Sequence, residues 1–186
     1  MRILVVYYSF TSTVERLASS IKTCLAPSHD VTVTGIVPVR TRSYWTWLLL
    51  SFIPGPSVAI GNPPVDVDGF DRICVGLPKW TFSCPPVNRY LALLPKVPPE
   101  TSLGLFMSFG GFDEDRYLRE IAARVSRKGR LVASLAVKRR LVDTPESISL
   151  IRQFCDALVA ARSPVSLKLD ERRSQESEVR SQNEKD

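Results

Sequence analysis

Four apolar runs of strand length, each followed by a segment of helical period, leave this chain few ways to fold. They are Arg2–Tyr8, Asp71–Leu77, Ser102–Met107 and Leu131–Val137. Runs rich in Val, Ile and Leu without polar alternation read as strands buried on both faces. Between them, Val14, Leu17, Ala18, Ile21 and Leu25 fall on one helical stripe over about 12–25, and Pro27 ends that helix. Pro85 and Pro86 suit the first turn of a second helix, where no amide donor is lost. Asp113–Asp115 and Thr144–Glu146 open two more, the last running to about Arg162. Strands alternating with helices specify a parallel sheet covered on both faces. Val31–Ile36 alternates apolar and polar residues and is expected at an edge.

A chain of 186 residues suits one such α/β domain. The domain is expected over 1–165, with 166–186 as a charged, disordered tail; apolar periodicity is gone from about Asp170. Formal charge is +6. Residues 169–186 hold six acids and four bases, which leaves 21 bases and 13 acids, a net +8, to the preceding body. Such a body favours encounters with anions. No nucleic-acid reading module accompanies it, so nucleic acid is not an expected partner, and Lys138–Arg140 reads as a solvated face. Cys24, Cys74, Cys84 and Cys155 lie far apart, and His29 is the lone histidine, so metal-ligand spacing is missing. Reduced cysteines and no apolar leader lead to the expectation of a cytoplasmic protein.

An insertion at about 40–63 interrupts the pattern. Tyr44–Ile53 is too short to span a bilayer, and Arg40 and Arg42 flank it on one side and Pro54-Gly55-Pro56 on the other. It is expected to be a helix that either covers one end of the sheet or touches a membrane surface or a partner, a homodimer mate included.

Three loops follow strand C-terminal ends: 9–14, 78–84 and 108–112. Ligands of open α/β sheets bind there, where strand order reverses. The first stacks hydroxyls and helix-terminal amides, a phosphate nest. The second offers Trp80 and Phe82, and the third Phe109 and Phe112 with two glycines.

In these loops the chain resembles the flavodoxin and flavin-reductase group. Tyr8-Ser9-Phe10-Thr11-Ser12-Thr13-Val14 is similar to that family's Tyr-Ser-x-Thr-Gly-x-Thr, with Ser12 where the pattern has glycine and Val14 where it has the last hydroxyl. Gly76-Leu77-Pro78-Lys79-Trp80 with Pro85-Pro86 resembles Gly-x-Pro-x-Trp, and Ser108-Phe109-Gly110-Gly111 resembles Thr-x-Gly-Gly. The resemblance implies a flavodoxin-like three-layer sandwich, a five-stranded parallel sheet of order 2-1-3-4-5, and FMN as cofactor. It puts Ser9, Phe10, Thr11, Ser12, Thr13 and Val14 at the phosphate and Pro78, Lys79, Trp80 and Thr81 at the ring. Ser108, Phe109, Gly110 and Gly111 would form the opposite wall. The implied function is FMN-dependent redox chemistry, as electron carrier or small oxidoreductase, with a redox partner protein or a small-molecule acceptor. Ser12 and Val14 leave an alternative: an interaction module that keeps the fold without the flavin. Cys84 falls near the presumed ring, where it is expected to be a packed thiol.

Overall fold

The computed structural model describes residues 1–40, 42–53, 55–62, 66–111, 113–160 and 165–169. In chain order the elements are β1 (Arg2–Tyr7), α1 (Thr13–Leu25), β2 (Asp30–Gly35), β3 (Val37–Pro38), α2 (Tyr44–Ser51) and β4 (Ile60–Asn62). They continue with β5 (Arg72–Pro78), α3 (Pro85–Leu93), β6 (Ser102–Phe109), α4 (Glu114–Ser126), β7 (Arg130–Lys138), a 3-10 turn (Arg139–Leu141), α5 (Pro145–Ala160) and β8 (Val165–Leu169). The main sheet has the order β2-β1-β5-β6-β7-β8, and every neighbouring pair is parallel. Its first five strands realise the 2-1-3-4-5 order.

Alternation along the strands sorts side chains into two cores. Ile3 and Val5 with Cys74 and Phe106 face α1 and α5, while Leu4 and Val6 with Ile73, Val75 and Met107 face α3 and α4. Helices therefore cover both faces, in three layers. The buried residues of α1 are Thr13, Val14, Leu17, Ala18, Ile21 and Leu25, which contains the stripe expected from its period. Gly76 of β5 is there because Phe106 lies across it: an added Cβ would stand 2.2 Å from the ring.

The sheet has a sixth strand that the sequence did not announce. β8 pairs with β7 from Ala133↔Val165 to Val137↔Leu169, and α5 makes the crossover that two parallel strands need. A domain boundary at 165/166 therefore cuts β8 in its first residue. Leu169 is buried against α5's core, and Lys168 reaches Glu114 (2.5 Å) and Asp115 (3.2 Å) at the start of α4. The rest of the expected tail lies outside the described residues, as do Pro54 and the last two residues of the expected final helix, Ala161 and Arg162.

The insertion forms α2, which Ser43 caps by accepting from the Thr46 amide at 3.3 Å, and β4, which pairs antiparallel with β3 just ahead of the insertion. Among the described residues no helix is long and apolar enough to cross a membrane.

Candidate functional site

Loops from the C-terminal ends of β1, β5, β6 and β7 meet at one end of the sheet. β2 and β5 pair with opposite edges of β1, so this is the switch point at which ligands of open α/β sheets bind.

The first loop turns through Ser12, which holds φ 57° and ψ −1° at the head of α1 and makes no side-chain cap. A left-handed residue at a helix start turns consecutive amides to one side, and the first-turn amides have no carbonyl within the helix to pair with. Thr11 and Thr13 hydroxyls lie 3.2 Å apart. The Ser9 hydroxyl is buried and has no hydrogen-bond partner among the described residues. A buried hydroxyl left unpaired costs about 1–3 kcal/mol, so this one marks a place where an acceptor or donor fits.

Trp80 stands at the centre of the second loop. Its ring packs edge-on against Tyr8 (5.7 Å) and Phe10 (6.2 Å), and tilted against Trp47 of α2 (5.9 Å). The insertion locks this loop in place. The amides of Phe82 and Ser83 donate to the Ser51 carbonyl (2.9 and 3.0 Å), the Ser51 and Thr81 hydroxyls share a bond at 2.6 Å, and Ser83 Oγ donates to the Ile53 carbonyl at 3.0 Å. Lys79 N donates to the Ser108 carbonyl at 2.7 Å, tying the second loop to the third.

Between these loops opens a cavity of about 460 Å³, lined by Tyr44 and Leu48 of α2, Lys79, Trp80, Gly110, Gly111 and Lys138–Arg140. That volume is within the usual range for small-ligand sites. Among the described residues no carboxylate lines it.

The fourteen expected site residues are thus gathered at one end, in different roles. Lys79, Trp80, Gly110 and Gly111 line the cavity. Ser9, Thr11, Ser12 and Thr13 form the neighbouring turn, and Phe10 bridges turn and cavity through Trp80 and Tyr44 (5.9 Å). Val14 contributes only backbone, because its side chain is buried with Leu17 and Ile21. Pro78 and Ser108 are buried at strand ends, and Thr81 spends its hydroxyl on Ser51. Phe109 is not a flat cavity wall: its ring is buried in the core, with Lys168 Nζ 5.8 Å from its centroid. Phe112 lies outside the described residues. Cys84 is fully buried ahead of α3, and burial pushes its thiol up to about 12, so it is a packed thiol.

Lys138–Arg140, read as a solvated face, is largely exposed and also borders the cavity, with Arg139 near enough that a Cβ on Gly110 would stand 3.8 Å from its guanidinium. The signal was available, since the run directly follows a strand end. Tyr44 and Leu48 carried no such signal.

Sheet order and three layers together define the flavodoxin-like fold. Solved structures agree. Flavodoxin 2 of Bacillus cereus matches with a TM-score of 0.62 at 17% identity, over 87% of this chain and 100% of that one. The flavodoxin of Streptococcus pneumoniae TIGR4 matches at 0.56 and 20% identity, over 87% and 100%. Rubredoxin oxygen:oxidoreductase of Desulfovibrio gigas matches at 0.62 and 15% identity, over 86% of this chain and 35% of that one. These likenesses show the fold. No family model matches the chain. A protein of Archaeoglobus fulgidus described as uncharacterized is 34% identical over 145 residues, covering 76% of this chain and 90% of its own length. The chain belongs to the family of that archaeal protein.

Proposed function

We propose that the protein binds FMN and serves as an electron carrier or small flavin-dependent oxidoreductase. The observation that carries this reading is the buried, unpartnered Ser9 hydroxyl inside a left-handed turn at a helix head, next to a cavity floored by Trp80. Ser9, Thr11 and Thr13, with the amides of the turn, would hold the phosphate. Trp80 would cover the ring and keep water from that side, and the Gly110–Gly111 backbone would approach its edge. FMN supplies one- and two-electron chemistry when bound, while donors and charge around it tune its potential. Lys79, Lys138, Arg139 and Arg140 make the rim cationic, which suits an anionic acceptor or an acidic redox partner.

Ser12 favours a second reading, a fold kept without flavin, because a serine is strained at positive φ. One experiment separates the two. The purified protein is expected to show flavin absorption bands and to release FMN on denaturation. Ser9→Ala and Thr11→Ala should each weaken FMN binding about tenfold, as expected for bonds to a charged group. A colourless protein that takes up no added FMN overturns the first reading and leaves the second.

A further inference from the structure

α2 is anchored by one side only. Trp47 is 2% exposed and Ser51 fully buried, whereas Trp45 is 74% and Leu49 70% exposed. Trp45, Leu49 and Phe52 are spaced i, i+4, i+7 and so share a face, continued by Ile53; Phe52 and Ile53 are also more than half exposed. Phe82 extends the ridge, its ring 6.3 Å from that of Phe52. On the other flank Tyr44 packs on Trp45 at 5.7 Å and on Phe10 at 5.9 Å. Single exposed apolar residues are ordinary, but a contiguous ridge of this size marks an interaction surface.

Charge narrows what the ridge meets. The sequence has no Asp or Glu from Val31 to Val65, from Arg72 to Pro99, from Thr101 to Phe112, or from Arg127 to Val142. Those segments supply α2, the loop after β5, the loop after β6 and the loop after β7, and they carry Arg40, Arg42, Lys79 and Lys138–Arg140. Of the acids that border this end, Asp143 pairs with Arg16 at 2.6 Å, Glu114 and Asp115 with Lys168, and Asp113 stands in the field of Arg116. An acidic protein surface would match the charge but not the ridge. The core of a protein interface is apolar and depleted of charge, so an acidic surface drawn to the cationic rim would set its carboxylates against Leu49, Phe52, Ile53 and Phe82. A bilayer interface does not: indoles sit at headgroup depth, aliphatic and phenyl groups enter the acyl boundary, and Arg and Lys meet lipid phosphates.

We propose that α2 and the Phe82 loop seat this end of the protein on a bilayer surface with anionic headgroups. Trp45, Leu49, Phe52 and Ile53 enter the interface, with Arg40 and Arg42 on the headgroups. Tyr44 and Leu48 of the same helix line the cavity, so the cavity opens beside the lipid surface. The proposal does not depend on flavin.

The test is co-sedimentation of the full chain with phosphatidylcholine vesicles and with vesicles in which phosphatidylglycerol replaces about a third of the lipid. Partition into the anionic vesicles should exceed that into neutral ones about tenfold at low salt, and raised salt should reduce it. The double variant Trp45→Ser/Leu49→Ser should lose about tenfold in partition with an unchanged thermal midpoint. Should that variant fold poorly, two others carry the test. Arg40→Gln/Arg42→Gln should lose about fivefold per charge on anionic vesicles alone. Trp45→Phe should remove the blue shift that vesicles induce in tryptophan emission. Trp47 and Trp80 are unsuitable probes, being packed against one another. Wild type and the double variant pelleting equally, no preference for anionic lipid, or a dimer that shields Trp45 and binds no vesicle would each overturn the proposal.

Discussion

Ser12 carries a conflict that a single substitution resolves. Its φ of 57° belongs to the left-handed region, which costs an L-residue about 1–2 kcal/mol, and its hydroxyl makes no capping bond in return. Glycine removes that strain and gives back part of the gain through the freedom it adds to the unfolded chain, about 0.5–1 kcal/mol. Ser12→Gly should therefore stabilise the flavin-free protein by about 0.5–1 kcal/mol. That is a rise of about 2 °C in thermal midpoint for a domain of this size. A midpoint that falls would show that the Ser12 hydroxyl is engaged after all. The neighbouring departure from the flavodoxin pattern proves less consequential. Val14 was legible as part of the α1 stripe from its spacing to Leu17, Ala18 and Ile21, and a side chain committed to that stripe cannot also point at a phosphate. Residue identity showed the loss of a hydroxyl, while periodicity showed that the position is a core one.

At the scale of elements, β5 and β6 set the floor on which the cavity loops stand. The Gly76-Leu77-Pro78 run ends β5, and Gly76 is opposite Phe106 in the register. Gly76→Ala would place its methyl carbon 2.2 Å from the Phe106 ring, a distance that no rotamer change at Ala can relieve. Overpacking of this kind costs about 1–3 kcal/mol, and at this separation the upper end applies. Gly76→Ala is expected to destabilise by about 3 kcal/mol, and adding Phe106→Leu should recover a large part of that loss. A thermal or urea double-mutant cycle reads the coupling. Additive effects of the two changes would place the clash elsewhere.

Elements also show where sequence reading stops. The central strands were legible because burial on both faces removes polar alternation. β8 was not, since five residues with apolar side chains only at Val165, Leu167 and Leu169 run straight into a charged tail whose composition dominates any window. α2 was legible as a helix but not in its orientation. Its run of Trp and Leu is apolar all round, so the period has no phase. Nothing in Tyr44-Trp45-Thr46-Trp47 tells that Trp47 is the anchor and Trp45 the exposed one. Tertiary contacts of Trp47 with Tyr8 and Trp80, and of Ser51 with the loop after β5, decide it.

For the whole molecule the decisive property is how unevenly charge is spread. The net charge of +6 is modest, but the cavity end combines Lys79, Lys138, Arg139 and Arg140 with segments that have no acid. If FMN binds as proposed, its phosphate would be held partly through a field that salt screens, over a Debye length of about 10 Å at 0.1 M and about 3 Å at 1 M. The proposed hydrogen bonds from the Ser9–Thr13 turn and the contact with Trp80 would be far less sensitive. FMN and riboflavin share the ring and differ in the phosphate, so the pair separates the two contributions. Raising salt from low concentration to about 0.5 M should weaken FMN binding roughly tenfold while riboflavin, the weaker ligand at every salt, shifts by less than about twofold. Fluorescence titration of the flavin-free protein reads both. In Arg139→Gln/Arg140→Gln the FMN salt dependence should shrink and the riboflavin affinity stay put. Equal salt shifts for the two flavins would mean that the cationic rim does not act on the phosphate. The field would then serve whatever meets the protein at that end, and the phosphate would rest on the turn alone.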